Sequence, residues 1–326
     1  MKQRQINIEL LRIVAMLMVL GLHANFLALK APDAETVMTG EGIFRTFLHS
    51  ACIVAVNVFV MISGWFGIKP SLKGSCNFMW QVIYMVGLLW VTGVMFFNQP
   101  VTLKSILWMV GLYGGGGWFV ASYIGLYILS PMLNQYIAKT ASKHIAITLI
   151  AFFVFEFIWG NTLSVQFVVG GYSTFSFIGI YILAGLLKKI HLRYSKSMPY
   201  FIIFLIAIAI NSLLYICFTS MGAVAIRSII FNYINPLVII ASASFLLAFS
   251  NLPIYTPPTS NTQGCAFVKA AIWLASSSFA AYLLHVGTNY ALSLYCDGVI
   301  YLYDKFSGFI SFAVIVGYVV AVFFSQ

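Results

Sequence analysis

The sequence predicts an all-α fold: a polytopic transmembrane bundle of about ten spans with one short re-entrant segment and both termini in the cytoplasm. Three observations predict it. The 326 residues are 62% hydrophobic and only 7% charged, with a mean hydropathy of +0.98, whereas soluble domains are about one quarter charged. The apolar residues fall in runs near the roughly 20 residues that a helix needs to cross the hydrocarbon core. The basic residues gather in alternate loops, as cytoplasmic loops do. This composition excludes a water-soluble globular enzyme, a disordered tail and a nucleic-acid-binding domain.

In chain order the runs predict spans over 6–28, 43–67, 77–97, 118–138, 144–161, 172–187, 200–219, 228–249, 270–290 and 307–325. The first is too long for a signal-peptide core and is interrupted by Glu9 and Arg12, so a retained span is expected. The run 103–113 is too short to cross and ends in Gly114–Gly117, which predicts the re-entrant or interfacial piece followed by a flexible turn; the glycines lack the spacing of a nucleotide-binding loop. Residues 250–269 carry Pro253, Pro257 and Pro258 and read as an irregular cytoplasmic connection, and 291–306 as an outer loop. With the N-terminus inside, 11 of the 17 Lys and Arg fall on the cytoplasmic side. Counting 103–117 as a crossing would move the densest basic cluster, Lys188, Lys189, His191, Arg193 and Lys196, outside. That cluster is a positive-inside anchor that could also attract the phosphates of an anionic cytoplasmic donor. The five Cys lack CxxC spacing, so neither a disulfide scaffold nor a metal site is expected. No internal repeat is evident, and a single transmembrane domain over 1–326 is expected.

Ionisable groups inside spans are costly and usually face an interior cavity. The first span holds Glu9, Arg12 and His23. Eleven residues at 100° each is three turns plus about 20°, so Arg12 and His23 share a helix face about 16 Å apart along the axis, with Glu9 close beside Arg12. The bland alternative is a terminal ion pair and a histidine bonded to a backbone carbonyl. His49, Glu156 and His285 fall at depths comparable to His23. Together they could supply a general base, its orienting partner and groups that bind a hydroxyl-rich acceptor, or each could be a helix–helix hydrogen bond. Asn57, Ser63 and Asn235 are small polar residues that either satisfy buried partners or touch substrate. Trp118 and Tyr123 follow the glycine run on the next span.

These residues resemble the pattern of the acyltransferase family 3 membrane proteins, bacterial enzymes that acylate surface polysaccharides and related glycans. The best match is the stretch Ile8-Glu9-Leu10-Leu11-Arg12 through Leu22-His23, which carries the family's Arg-x10-His spacing. Further matches are Asn57 to Trp65, Trp118-Phe119 with Tyr123 to Pro131, and Ser278 to His285. Many members carry Asp where this chain has Glu9. The resemblance covers essentially the whole chain. It implies transfer of an acyl group, commonly acetyl, from cytoplasmic acyl-CoA to a glycan hydroxyl, with acetyl-CoA as co-substrate and no bound cofactor or metal. The expected partners are acyl-CoA, a glycan or lipid-linked sugar acceptor and membrane lipid. The expected location is the bacterial cytoplasmic (inner) membrane, as a multi-pass protein. On that reading Arg12 binds the donor's phosphate or carbonyl oxygens, Glu9 holds Arg12, and His23 acts as general base; an acyl-histidine intermediate is the alternative chemistry. His49, Asn57, Ser63, Trp118, Tyr123, Glu156 and His285 are the expected substrate-binding residues. The competing class is a multispan transporter or flippase of a glycan or small substrate.

Overall fold

The computed structural model describes residues 5–109, 117–162, 168–190, 196–253, 266–306 and 309–325, and among them every regular element is a helix. The helices are α1 (Ile6–Leu22), α2 (Gly40–Cys52), α3 (Ala55–Phe66), α4 (Leu72–Phe96), α5 (Leu103–Met109), α6 (Gly117–Lys139), α7 (Ser142–Thr162), α8 (Thr174–Ile190), α9 (Met198–Ser220), α10 (Val224–Ile230), α11 (Pro236–Ser250), α12 (Ala266–Val286), α13 (Asn289–Lys305) and α14 (Phe309–Ser325). α1 runs on into a π-helical segment, His23–Ala28. A 3-10 turn spans Val169–Gly171.

Local chemistry accounts for the boundaries. Thr39, Ser71 and Thr288 accept hydrogen bonds from the backbone N–H groups of Gly42, Gly74 and Ala291 and so cap α2, α4 and α13. Gly67 ends α3 at φ 73°, a conformation that costs glycine nothing. The lysines Lys188 and Lys189 donate to the carbonyls of Trp65 and of Ile137 and Thr140, so the basic end of α8 also satisfies the last turns of α3 and α6. His191 and Arg193 of the expected basic cluster lie outside the described residues and Lys196 is exposed; also outside are 110–116, which hold most of the glycine run, and 254–265 of the expected irregular connection.

Five stretches are long and apolar enough to cross a membrane: Ile6–Ala28, Gly40–Phe66, Leu72–Phe96, Ser142–Asn161 and Met198–Ser220. A sixth is formed if the pair Val268–Val286 and Asn289–Lys305, bent by 92°, counts as one broken span. The described residues therefore make a multi-pass membrane protein, with fewer full-length crossings than the expected ten. Two expectations change in detail. The span expected over 228–249 is broken at Asn235-Pro236, where proline has no N–H to donate and the Asn235 side chain accepts from Leu237 instead. The outer loop expected over 291–306 is helix α13, which leaves α12 through Gly287 and Thr288. The seven-residue α5 covers the first part of the short piece expected over 103–113, and 110–113 lie outside the described residues.

The stretch containing α2 and α3 is 72% buried, against 17% for α4 and for α7. α3 is apolar on nearly every side, as a helix surrounded by others must be. It packs on α1, α8 and α11, while α1 also packs on α12 and α11 on α9. The α3–α8 crossing is tight: a Cβ on Gly64 would lie 2.4 Å from the Tyr181 carbonyl oxygen. Just beyond it the Tyr181 hydroxyl accepts from the Ile68 N–H at 2.8 Å and donates to Asn134 Oδ1 at 2.7 Å, and Asn134 donates to the Ile68 carbonyl at 2.7 Å. Gly64→Ala should therefore separate α3 from α8 at a cost of about 1–3 kcal/mol. The expected result is a melting temperature lowered by several degrees in detergent-purified protein. Gly317→Ala on α14, where a Cβ meets nothing within 4 Å, should leave it unchanged.

Candidate functional site

The polar groups of α1 lie toward its two ends, where Glu9 and Arg12 pair with each other and His23 meets a partner from another helix. Arg12 Nη1 donates to Glu9 Oε2 at 2.9 Å, with the Glu9 side chain buried and that of Arg12 32% exposed. A guanidinium has five N–H donors, so the ion pair leaves others for a ligand. The spacing argument holds because α1 remains an α-helix through Leu22; the wider π turns begin at His23 itself. π segments inside helices are frequent at functional sites.

At the other end His23 Nδ1 lies 2.8 Å from His285 Nε2. His285 is buried behind His23, with its ring edge-on to Tyr295 at 4.3 Å between centroids and its Nδ1 without a hydrogen-bond partner. The Tyr295 hydroxyl donates to the Leu20 carbonyl at 2.8 Å, where α1 passes into the π segment. The two halves of the bent α12–α13 pair thus hold the same part of α1, one through His285 and one through Tyr295. The far end of the π segment is clamped by buried Arg45, which donates to Asn25 Oδ1 and to the carbonyls of Leu29 and Lys30.

Two cavities open along this face. The one at Arg12, about 300 Å³, is lined by Arg12, Ser63, Tyr123, Ser276 and Ser278 among apolar neighbours. The one at His23, about 610 Å³, includes His23, His49, Trp118, Tyr172, Arg227 and Tyr233. Val19, Val56, Phe119 and Tyr282 line both, so one layer of side chains separates them.

The residues expected from the sequence therefore divide. Glu9 and Arg12 with Ser63 and Tyr123 gather at the smaller cavity, where Ser63 Oγ and the Tyr123 hydroxyl are 3.1 Å apart. His23, His49 and Trp118 line the larger one, with His285 bonded to His23 from behind. The His49 ring stacks on Phe26 at 3.8 Å. Asn57 and Glu156 line neither cavity: Asn57 donates to the Tyr233 carbonyl at 3.0 Å, and Glu156 accepts from the Ser176 hydroxyl at 2.6 Å. Asn235, the remaining polar candidate, caps α11. Missed from the sequence were Tyr172, Tyr233, Tyr282 and Arg227. Only Tyr282 carries a signal, three residues before His285 and so on the same side of α12. Among the described residues no three His, Cys, Asp or Glu side chains come together as metal ligands would.

No curated protein and no solved structure matches this chain. The family model of the acyltransferase domain matches residues 5–325, nearly the whole chain and every part of the site just described, and the chain belongs to acyltransferase family 3.

Proposed function

We propose that this membrane acyltransferase moves an acyl group, acetyl in the simplest case, from cytoplasmic acyl-CoA to a hydroxyl of a surface or lipid-linked glycan in the bacterial cytoplasmic membrane. The observation that carries this reading is the pair of cavities along one face of α1, with Arg12 in one, His23 in the other and a single side-chain layer between. With the N-terminus in the cytoplasm, the Arg12 cavity faces the donor and the His23 cavity the acceptor. A thin pantetheine arm suits the smaller cavity. Arg12, steadied by Glu9, binds phosphate or carbonyl oxygens of the donor, and the hydroxyls of Ser63 and Tyr123 meet its amides.

In the transfer step the acceptor oxygen attacks the thioester carbonyl carbon while its proton passes to His23 Nε2. The C–S bond then breaks, and the departing thiolate takes up the proton from His23. This requires the tautomer in which His23 Nδ1–H donates to His285 Nε2. When His23 becomes an imidazolium, His285 accepts a charge-assisted hydrogen bond. A neutral histidine thus orients the base from behind, in the place that a carboxylate takes in other base pairs.

Three measurements test the scheme on purified protein with radiolabelled acetyl-CoA. His23→Ala should fold and insert but lose transfer by about 10²–10⁴-fold; near-wild-type turnover would remove His23 from the mechanism. Arg12→Lys should weaken acyl-CoA binding about tenfold or more, since Lys cannot make the bidentate contact; unchanged affinity would refute the donor role. His285→Phe keeps the ring and removes the acceptor, so kcat should fall about 10- to 100-fold while KM for acyl-CoA stays constant. Counterflow of a glycan substrate without release of CoA would point to the transporter class instead.

A further inference from the structure

The His23 cavity contains a cation that the proposed reaction does not use. Arg227, on α10, lines it and is half-buried, yet it forms no ion pair and no side-chain hydrogen bond among the described residues. By contrast the buried cation Arg45 is held by Asn25 and backbone carbonyls and lies 3.7 Å from Glu41. None of the described lining residues is acidic; the ionisable groups among them are His23, His49, Arg227 and four tyrosines. A half-buried guanidinium left without a counterion in a largely aromatic cavity is costly, and in a membrane protein such a group marks a ligand or ion path.

The rest of the wall narrows the ligand class. Trp118, Tyr172 and Tyr233 form a cluster with ring centroids 4.5–5.8 Å apart, and Tyr215 and Phe231 form a second pair at 4.6 Å. Flat aromatic faces tipped with hydroxyls suit the C–H faces and hydroxyl edges of sugar rings. The volume of about 610 Å³ falls within the range of small-molecule sites.

We propose that the acceptor taken by this cavity carries an oxyanion, and that Arg227 is the specificity residue that binds it. Two sources share this chemistry: the carboxylate of an acidic sugar, and the phosphate that links a sugar to a lipid carrier. Arg227 holds the anion while a neighbouring hydroxyl is presented to His23. The inference rests on the glycan-acceptor reading above for its meaning, although the binding it requires can be measured without turnover.

Tryptophan-fluorescence titration of the detergent-purified full chain tests it with octyl β-D-glucuronide against octyl β-D-glucoside, and decaprenyl phosphate against decaprenol. The wild type should bind at least one anionic probe about ten- to a hundredfold more tightly than its neutral counterpart, and which one identifies the source. Arg227→Gln should abolish that ratio while leaving affinity for the neutral glucoside unchanged, which also reports an intact cavity. Arg227→Lys should keep part of the preference, and raising the salt concentration should weaken it in the wild type. Equal binding of both members of each pair by the wild type, or a preference that survives in Arg227→Gln, overturns the proposal. Acetyl transfer is read separately. An Arg227-dependent preference without transfer would retire the acyl-transfer reading and leave the anion site standing.

Discussion

The hydrogen bond between His23 and His285 ties the first helix to the twelfth at the point where α1 stops being an α-helix. In hydrocarbon every polar group must find its partner inside the protein, and the C-terminal part of α1 with its π segment presents several at once. The π turns from His23 to Ala28 reroute the backbone bonds, and the Leu20 carbonyl is taken by the Tyr295 hydroxyl. The imidazole of His23 is taken by His285. One partner comes from α12 and the other from α13, and the 92° bend between them lets both reach the same stretch of α1. A straight continuation of α12 would carry Tyr295 well beyond Leu20. The bend and the π segment are thus two sides of one arrangement, with α1 locally rewound and α12–α13 folded around it.

The other end of the stripe solves the same problem differently. Arg12 is paired within its own helix by Glu9, three residues earlier, so it needs no partner from another element. Its remaining donors stay free for whatever occupies the adjoining cavity. The contrast follows from what each group is asked to do. An intrahelical carboxylate compensates a permanent charge cheaply and leaves it facing outward. On the proposed mechanism His23, a base that is neutral at rest, would gain from a neutral acceptor behind it, because a carboxylate there would favour the charged form before the acceptor hydroxyl arrives.

How much of this was legible in the sequence depends on whether the relevant geometry is local. Glu9, Arg12 and His23 could be aligned by arithmetic because α1 keeps its 3.6-residue period up to Leu22. Ser63 and Tyr123 sit in apolar runs whose helical character was plain, and both reach the Arg12 cavity. His285 was visible as a buried histidine, but its partner was not, since the pairing depends on helix packing. Glu156 and Asn57 look like functional residues by the same criterion of intramembrane polarity. They are instead satisfied by Ser176 and by the Tyr233 carbonyl, and sequence cannot tell a satisfied polar group from an available one. Arg227 stands one residue before the span expected over 228–249. The break at Asn235-Pro236 sets α10 apart, with Val224, Arg227 and Ser228 lining the His23 cavity, and hydropathy averages across such breaks.

The layer shared by the two cavities bears on the chemistry. Val19, Val56, Phe119 and Tyr282 form it, and three of the four are wholly apolar. A membrane enzyme with a donor on one side and an acceptor on the other must pass an acyl group while holding back water and ions. Open continuity would let water reach the thioester, whose hydrolysis competes with transfer, and would short-circuit the ion gradients across the bilayer. A solid wall would stop the reaction. An apolar layer one side chain thick meets both demands, because an acetyl group and a slender thioester can displace aliphatic and aromatic rotamers that a hydrated ion cannot. Phe119 and Tyr282, whose ring centroids lie 5.4 Å apart, are the bulkiest members of the layer. Tyr282 stands on α12 one turn before His285, so on the proposed mechanism a side-chain movement that admitted the acyl group would be coupled through one helix to the partner of His23.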